Sequence, residues 1–220
     1  MVRCTNCGWT GTHFEDHVEG IGLACPQCGF IRRDPNLIQY LQDAFPARRY
    51  GRLRCLEVSS SVTSPILKKK FPRLITMDIK PAKKEVYGDL MRLHYKDNWF
   101  DFIICLDVIE HVEDDVAAFK EMFRVLKPSG KVVLHTPPWS EKGEISSPEK
   151  INCPKYHMSN SEISDARVYR YYSCEKLPER MEAPGFKVKE IRFMDSGLML
   201  HQDIFYELRK CARIDKVNGS

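Results

Sequence analysis

Asp34-Pro35 opens a stretch in which Leu37, Ile38, Leu41 and Phe45 fall at three- and four-residue steps, the spacing of one apolar helix face, which ends at Phe45-Pro46. From residue 53 the period changes. Short apolar runs alternate with helix-like segments: LRCLEV, SPILKKKF, LITMDI, a connector containing GDL, FDFIICLD, EDDVAAFKEMFRVL, KVVLHTP, CEKLPERMEAPGF, FKVKEIRF and LMLHQDIFYEL. This alternation predicts an α/β domain, a mostly parallel sheet with helices on both faces. The last two strands follow one another directly, so one of them is expected to run antiparallel.

Local signals place the boundaries. Ser64 before Pro65 reads as a hydroxyl cap followed by proline at the first helical position. Asp114 and Asp115 open a helix whose Phe119, Met122, Phe123 and Leu126 make one stripe, and Lys127-Pro128-Ser129-Gly130 is expected to turn it into the next strand. Pro184 limits the helix before Gly185-Phe186, which is expected to be short or to end there. In such sheets a ligand lies beyond the carboxyl ends of the strands, where strand order reverses. Four acids occupy such positions: Glu57 in the first strand, Asp78 ending the second, Asp89 in Gly88-Asp89-Leu90, and Asp107 ending FDFIICLD. Asp78 follows Glu57 by twenty-one residues, a distance that suits hydrogen bonding to ribose hydroxyls. A single acid at a strand end is as often a helix cap; their joint order is what points to a nucleotide.

Composition narrows the class. The 220 residues are 43% hydrophobic and 29% charged, as in a soluble globular protein with one main core and a small appendage. No apolar run reaches the ~18–20 residues that span a bilayer, and Met-Val-Arg-Cys does not begin a signal peptide, so no membrane insertion and a cytoplasmic location are expected. The net charge of +4 is mild. Basic clusters at Arg32-Arg33, Arg48-Arg49, Lys68-Lys69-Lys70 and Lys83-Lys84 would bind phosphate or nucleic acid only if the fold gathered them on one face.

Nine cysteines suggest disulfides until their spacing is read. Cys4 and Cys7 form one C-x2-C pair and Cys25 and Cys28 another, seventeen residues apart, inside the spacing window of a four-cysteine zinc site. Gly8 and Gly29 follow each second cysteine and allow the backbone to fold back. Four thiolates leave no open coordination position, so Zn2+ here would be structural. A redox dithiol or two disulfides are the alternatives, disfavoured by the odd cysteine total and the lack of a secretion signal. His13 and His17 are expected in exposed loop positions, with Phe14, Val18 and Ile21 in a hairpin over the metal.

The stretches CLEVSSSVT, LITMDIKP, GDLMRL, FDFIICLDVIEHVEDD, FRVLKPSGKVVLHTP and LPERMEAPGF resemble class I S-adenosylmethionine-dependent methyltransferases of the methyltransferase-11-like group. The likeness runs from about residue 50 to 210 and implies a Rossmann-like seven-stranded sheet and S-adenosyl-L-methionine as cofactor. With it, residues 1–33 are expected to form a zinc ribbon, 34–49 a linking helix, 50–212 the methyltransferase domain and 213–220 a tail. Glu57 matches the start of a motif that reads E-x-G-x-G-x-G in the family, so Ser59, Ser61 and Thr63 stand where glycines are usual, with Ser60 between them. By the same resemblance Asp78 and Ile79 flank the ribose, Asp89 the adenine amine, and Leu90 and Asp107 the adenine and methionine portions. The serine turn is expected to retain cofactor binding in a reshaped form.

Methyl transfer from a sulfonium is an in-line displacement that chiefly needs alignment and exclusion of water. A general base is required only where an acceptor proton must leave early, and His111 and His135 near strand ends are the candidates for that role. Each also fits a structural place, as a helix cap or a satisfied core histidine. The polar stretch after Pro138, to about residue 166, is long enough for a binding loop, with Trp139, Tyr156 and His157 as acceptor contacts and Arg167, Tyr169 and Tyr171 beyond it. The acceptor expected is a small molecule or saccharide, ahead of RNA; a non-catalytic binding protein of the same fold is the other alternative.

Overall fold

The computed structural model describes residues 1–18, 22–31, 33–82, 85–136, 168–170, 172–173, 176–193 and 203–211. Trp139, Tyr156, His157, Arg167, Tyr171, Arg32 and Lys83-Lys84 lie outside them. Two small hairpins come first: β1 (Val2–Arg3) pairs antiparallel with β2 (Thr10–Gly11), and β3 (Glu15–Val18) with β4 (Gly22–Ala24). The amphipathic helix α1 (Arg33–Ala44) follows and a 3-10 turn, Ala47–Arg52, leads into the sheet.

The main sheet holds β5 (Cys55–Val58), β6 (Leu74–Asp78), β7 (Val86–Tyr87), β8 (Phe100–Leu106), β9 (Leu126–His135), β10 (Phe186–Phe193) and β11 (Asp203–Lys210). Its order is β10-β11-β9-β8-β5-β6-β7, with β5 to β9 parallel and β11 antiparallel to both of its neighbours. The chain therefore winds outward from β5 to β7, returns to β8 on the other side of β5, and winds outward again. The reversal puts the switch point between β5 and β8.

Alternation along these strands fills two cores. Cys55, Phe102, Ile104 and Leu106 face α1 and α2 (Ser64–Lys70), packing with Leu37, Leu41, Leu67 and Phe71. Leu56, Val58, Ile103 and Cys105 face the other way, toward α3 (Asp115–Val125) and α4 (Leu177–Glu182), through Phe119, Met122 and Met181. α1 is tied down twice more, since Tyr40 stacks near Phe102 and its hydroxyl donates to the buried Glu207 at 2.7 Å.

The helix stops where the prolines require it, α4 ending at Glu182 just before Ala183-Pro184. Two local expectations change. Ser64 does not cap α2: it is the first helical residue, and its hydroxyl donates to Glu57 at 2.7 Å while accepting from the Ser61 amide. Lys127-Pro128-Ser129-Gly130 is not a free turn either but lies within β9, with Ser129 at φ 66° and a register shift against β8 between Phe100 and Phe102. Residues 127–130 stand opposite Asp101 alone, so the chain makes its turn inside the strand, with Ser129 in the left-handed region.

The α3–α4 side is pinned by one buried carboxylate. Asp115 accepts from Tyr172 Oη at 2.8 Å, from Arg180 Nε at 2.7 Å and also from Arg180 Nη2, with Arg170 at 3.6 Å. Burial would raise this carboxyl, yet the bonds from Arg180 and Tyr172 hold it below the usual carboxylate range. Breaking one side of a buried ion pair costs about 3–5 kcal/mol. Asp115→Asn is therefore expected to lower unfolding free energy by roughly 3 kcal/mol in urea titration with an unchanged m value.

Candidate active site and metal centre

The first strand ends in a backbone bend that glycine normally supplies. Ser59 sits at φ 60°, in the left-handed region, and its amide donates to Met77 O of β6 at 2.8 Å. Asp107, ending β8, repeats the geometry at φ 51°, its amide donating to His135 O of β9 at 2.8 Å. Each strand thus keeps a last bond to its outer neighbour and then turns away. Because β5 and β8 are themselves neighbours that diverge here, a crevice opens between them.

A cavity of about 130 Å³ fills that crevice, lined by Arg33, Glu57, Val58, Ser59, Ser60, Ser61, Ile104, Leu106 and Asp107. Of the residues singled out in the sequence, Glu57, Ser59, Ser60, Ser61 and Asp107 meet here. The serine hydroxyls do not all point at it. Ser61 Oγ lies 2.7 Å from Thr63 Oγ1, and Thr63 is fully buried. Glu57 braces the turn from below, accepting from Ser64 Oγ at 2.7 Å and Thr76 Oγ1 at 3.2 Å.

The remaining predicted residues stand apart from the cavity. Asp78 ends β6 with its carboxylate on the Lys80 amide at 2.8 Å, and Ile79 beside it is 58% exposed. Asp89 bonds the Met91 amide at 2.8 Å, whereas Leu90 belongs to the core with Met77 and Leu93, so its side chain is spent on packing. His111 closes a 3-10 turn, Ile109–His111, and is half-buried. His135 is buried, its Nδ1 2.5 Å from Asp107 Oδ1 and its ring 5.1 Å from that of Phe205.

Three further charged groups lie in or beside the site, of which Arg33 lines the cavity. Arg33, the first residue of α1, reaches into the cavity and pairs with Asp107. Asp34 is buried beside it, one oxygen on the Ile31 amide at 2.8 Å and the other 3.6 Å from Arg33 Nε. Glu110 is buried too, with Oε2 accepting from Thr136 at 3.0 Å and Oε1 without a hydrogen-bond partner among the described residues. Glu110 adjoins His111 in DVIEHV and was legible as part of that motif. Arg33 carried no signal beyond a basic pair, because its place depends on where the preceding module docks.

Burial pushes both Glu57 and Glu110 up to about 7, against the ordinary carboxyl value of 4.5. Bonds from Ser64 and Thr76 work in the opposite direction at Glu57, as the bond from Thr136 does at Glu110, without cancelling the desolvation.

The four cysteines converge as their spacing required. All four sulfurs lie within 4.8 Å of one another, Cys4 to Cys28 at 3.7 Å and Cys7 to Cys25 at 3.6 Å. These are far beyond a disulfide bond of ~2.05 Å. They match a tetrahedron of ~2.3 Å Zn–S bonds, whose edges are about 3.8 Å. The two halves repeat one knuckle. Gly8 (φ 78°) donates to Cys4 O and Gly29 (φ 70°) to Cys25 O, while the Cys4 and Cys25 amides donate to Trp9 O and Phe30 O. His13 is exposed and bonded to Thr12, outside the cluster. Phe14 packs near Trp9 at 5.8 Å.

Residues 43–134 match the family model described as a methyltransferase domain. A demethylmenaquinone methyltransferase of Bacillus mycoides is 42% identical over 121 residues, 51% of this chain and 47% of that one. A sterol 24-C-methyltransferase of Schizosaccharomyces pombe is 29% identical over 112 residues, 49% of this chain and 28% of that one. The chain spans about half the length of the demethylmenaquinone methyltransferases it matches. Among solved structures, a Haemonchus contortus phosphoethanolamine N-methyltransferase bound to S-adenosylhomocysteine superposes with a TM-score of 0.57 at 15% identity, covering 81% of this chain and 53% of that one. At that identity the likeness establishes the fold.

Two results are expected from the turn itself. Ser59→Gly should change stability by less than about 1 kcal/mol, since relief of the left-handed bend offsets the freer unfolded chain, whereas Ser59→Val should cost on the order of 2 kcal/mol in chemical denaturation. Between pH 4.5 and 7 the folded chain holds protons on Glu57 and Glu110 that the unfolded chain has released. Their stabilising contribution is thus full below 4.5 and is lost as pH rises toward 7, and Glu57→Gln should flatten that slope in melting curves across the interval.

Proposed function

We propose that this chain, whose residues 43–134 match a methyltransferase domain, is an enzyme of the class I S-adenosylmethionine-dependent kind that moves a methyl group from this cofactor to a small organic acceptor. The observation that carries the reading is the pair of left-handed strand ends, Ser59 and Asp107, opening a crevice at the switch point of the sheet. The bend at Ser59 answers the difficulty raised by the missing glycines, because the backbone takes the glycine conformation with a serine in place.

The cavity fits one end of the cofactor. About 130 Å³ is well below the ~300 Å³ of a pocket that encloses a whole small-molecule ligand, and it suits an amino-acid-sized portion. Arg33 and Asp107 set one positive and one negative group side by side, the complement of a carboxylate and an ammonium on a single carbon. Arg33 would hold the carboxylate and Asp107 the amine. The exposed edge at Asp78 and Ile79 would take the ribose side, with Asp89 beyond it. When bound, the cofactor supplies an electrophilic methyl group on a sulfonium.

The chain's own part is placement. Glu57 fixes the turn through Ser64 and Thr76, and Leu106 and Ile104 keep water from the crevice floor. His135 acts through Asp107, whose carboxylate it orients from the buried side, so it serves as a positioning residue, which leaves His111 as the candidate for handling an acceptor proton. The acceptor as a small molecule is supported by relatives named for demethylmenaquinone and sterol methylation. No helix among the described residues is long and apolar enough to cross a membrane. Cys4, Cys7, Cys25 and Cys28 would hold one structural zinc ion, which supplies folding energy to a module with few buried side chains of its own.

Calorimetry of the zinc-loaded protein should give one S-adenosylhomocysteine site per chain, and no binding at millimolar ligand would sink the reading. Arg33→Ala is expected to weaken S-adenosylhomocysteine about 10- to 100-fold, the loss of one charged hydrogen-bond partner, and to leave 5′-methylthioadenosine, which lacks the amino-acid end, unchanged. Elemental analysis should find one zinc per chain, lost in Cys25→Ser.

A further inference from the structure

We propose that the four-cysteine centre is the abutment of the cofactor cleft, so that metal occupancy and cofactor affinity are thermodynamically coupled. The inference rests on the cofactor reading above and adds a dependence which that reading does not require. Its basis is the path the chain takes after Cys28. Gly29, at φ 70°, brings the second knuckle against the cofactor turn: a Cβ built there would stand 3.4 Å from Cγ1 of Val62. Phe30, 7% exposed, forms with Cys4 and Cys25 a small buried cluster, and Ile38 of α1 and Ile66 of α2 pack against that cluster. The knuckle therefore touches both the turn 59–64 and the helix that follows it.

The same segment sets Arg33. Ile31 forms an antiparallel bridge with Ala24 next to Cys25, its amide donates to Asp34 at 2.8 Å, and the Asp34 amide returns a bond to Ile31 O at 3.1 Å. Arg33, five residues past Cys28, leaves this clasp directly into the cavity and meets Asp107. One side of the cleft is thus delivered by the metal module rather than by the sheet.

That module has little to hold it without an ion. Among its described residues the one buried hydrophobic cluster is Cys4, Cys25 and Phe30, and two of these three are cysteines of the four-sulfur centre. Segments of this size fold when the metal binds. Loss of the ion would release Gly29 and Phe30 from Val62 and Ile66 and leave Arg33 anchored from α1 alone, so the turn and the guanidinium would have to be ordered again at the expense of binding energy. Reciprocity then requires that bound cofactor tighten the metal by the same factor.

The test uses the full chain. S-adenosylhomocysteine affinity is measured by calorimetry for zinc-loaded protein, for protein stripped with a chelator and checked by circular dichroism, and after zinc is restored. The stripped form is expected to bind roughly tenfold or more weakly, with recovery on reloading. In the converse arm, competition with a chromophoric chelator should show zinc held tighter by the same factor at saturating S-adenosylhomocysteine. Equal ligand affinity in loaded and stripped protein, or zinc affinity indifferent to the ligand, overturns the proposal. Should stripping melt the whole chain, Phe30→Ala decides: with zinc bound it is expected to weaken S-adenosylhomocysteine severalfold, and unchanged affinity overturns the coupling. If loaded wild-type protein binds no S-adenosylhomocysteine, the cofactor reading falls and this inference with it, an outcome distinct from equal binding in both states.

Discussion

Two residues that bend the backbone the wrong way for an L-amino acid decide where the crevice of this molecule opens. Ser59 and Asp107 end adjacent parallel strands in the left-handed region, each with its amide still bonded to the strand outside it. The sheet must part between them, since each chain is pulled toward its own outer neighbour. Such conformations cost about 1–3 kcal/mol each and persist only where the surroundings over-determine them. Here the surroundings are a buried Glu57 clamped to Ser64 and Thr76 on one side and the Asp107–His135 pair on the other.

The charges in the crevice follow from the same arrangement. Two acids, the buried Asp34 and the half-buried Asp107, flank the Arg33 guanidinium, Asp107 also meets the His135 imidazole, and the buried Glu110 bonds Thr136. Asp107 is satisfied by Arg33 and His135 together. Glu110 has one oxygen unbonded among the described residues and is pushed up to about 7 by burial, so near neutral pH it can remain uncharged and avoid most of the desolvation penalty. A cleft that pairs its own cation and anion is stable without a ligand and presents matched groups to a zwitterionic one.

The four-cysteine module gives this chain something that the sheet order alone does not contain. Its second knuckle is wedged against Val62 and Ile66, and its exit segment carries Arg33. A small four-cysteine unit is thereby built into the wall of the cleft and is no mere appendage tethered by a helix.

The sequence by itself determined the two repeating patterns and their consequences. Apolar alternation marked the strands, C-x2-C spacing and the glycines after it marked the two cysteine knuckles, and the acids at strand ends marked the carboxyl edge of the sheet, because these depend on residues close together in the chain. Leu90, Ser64 and Arg33 show what only the tertiary structure decided. Leu90 is packed into the core by Met77 and Leu93, Ser64 serves Glu57 rather than its own helix, and Arg33 enters the cleft because a distant module docks on α2. Each of these turns on which long-range neighbour a side chain meets, and no local period or motif encodes that.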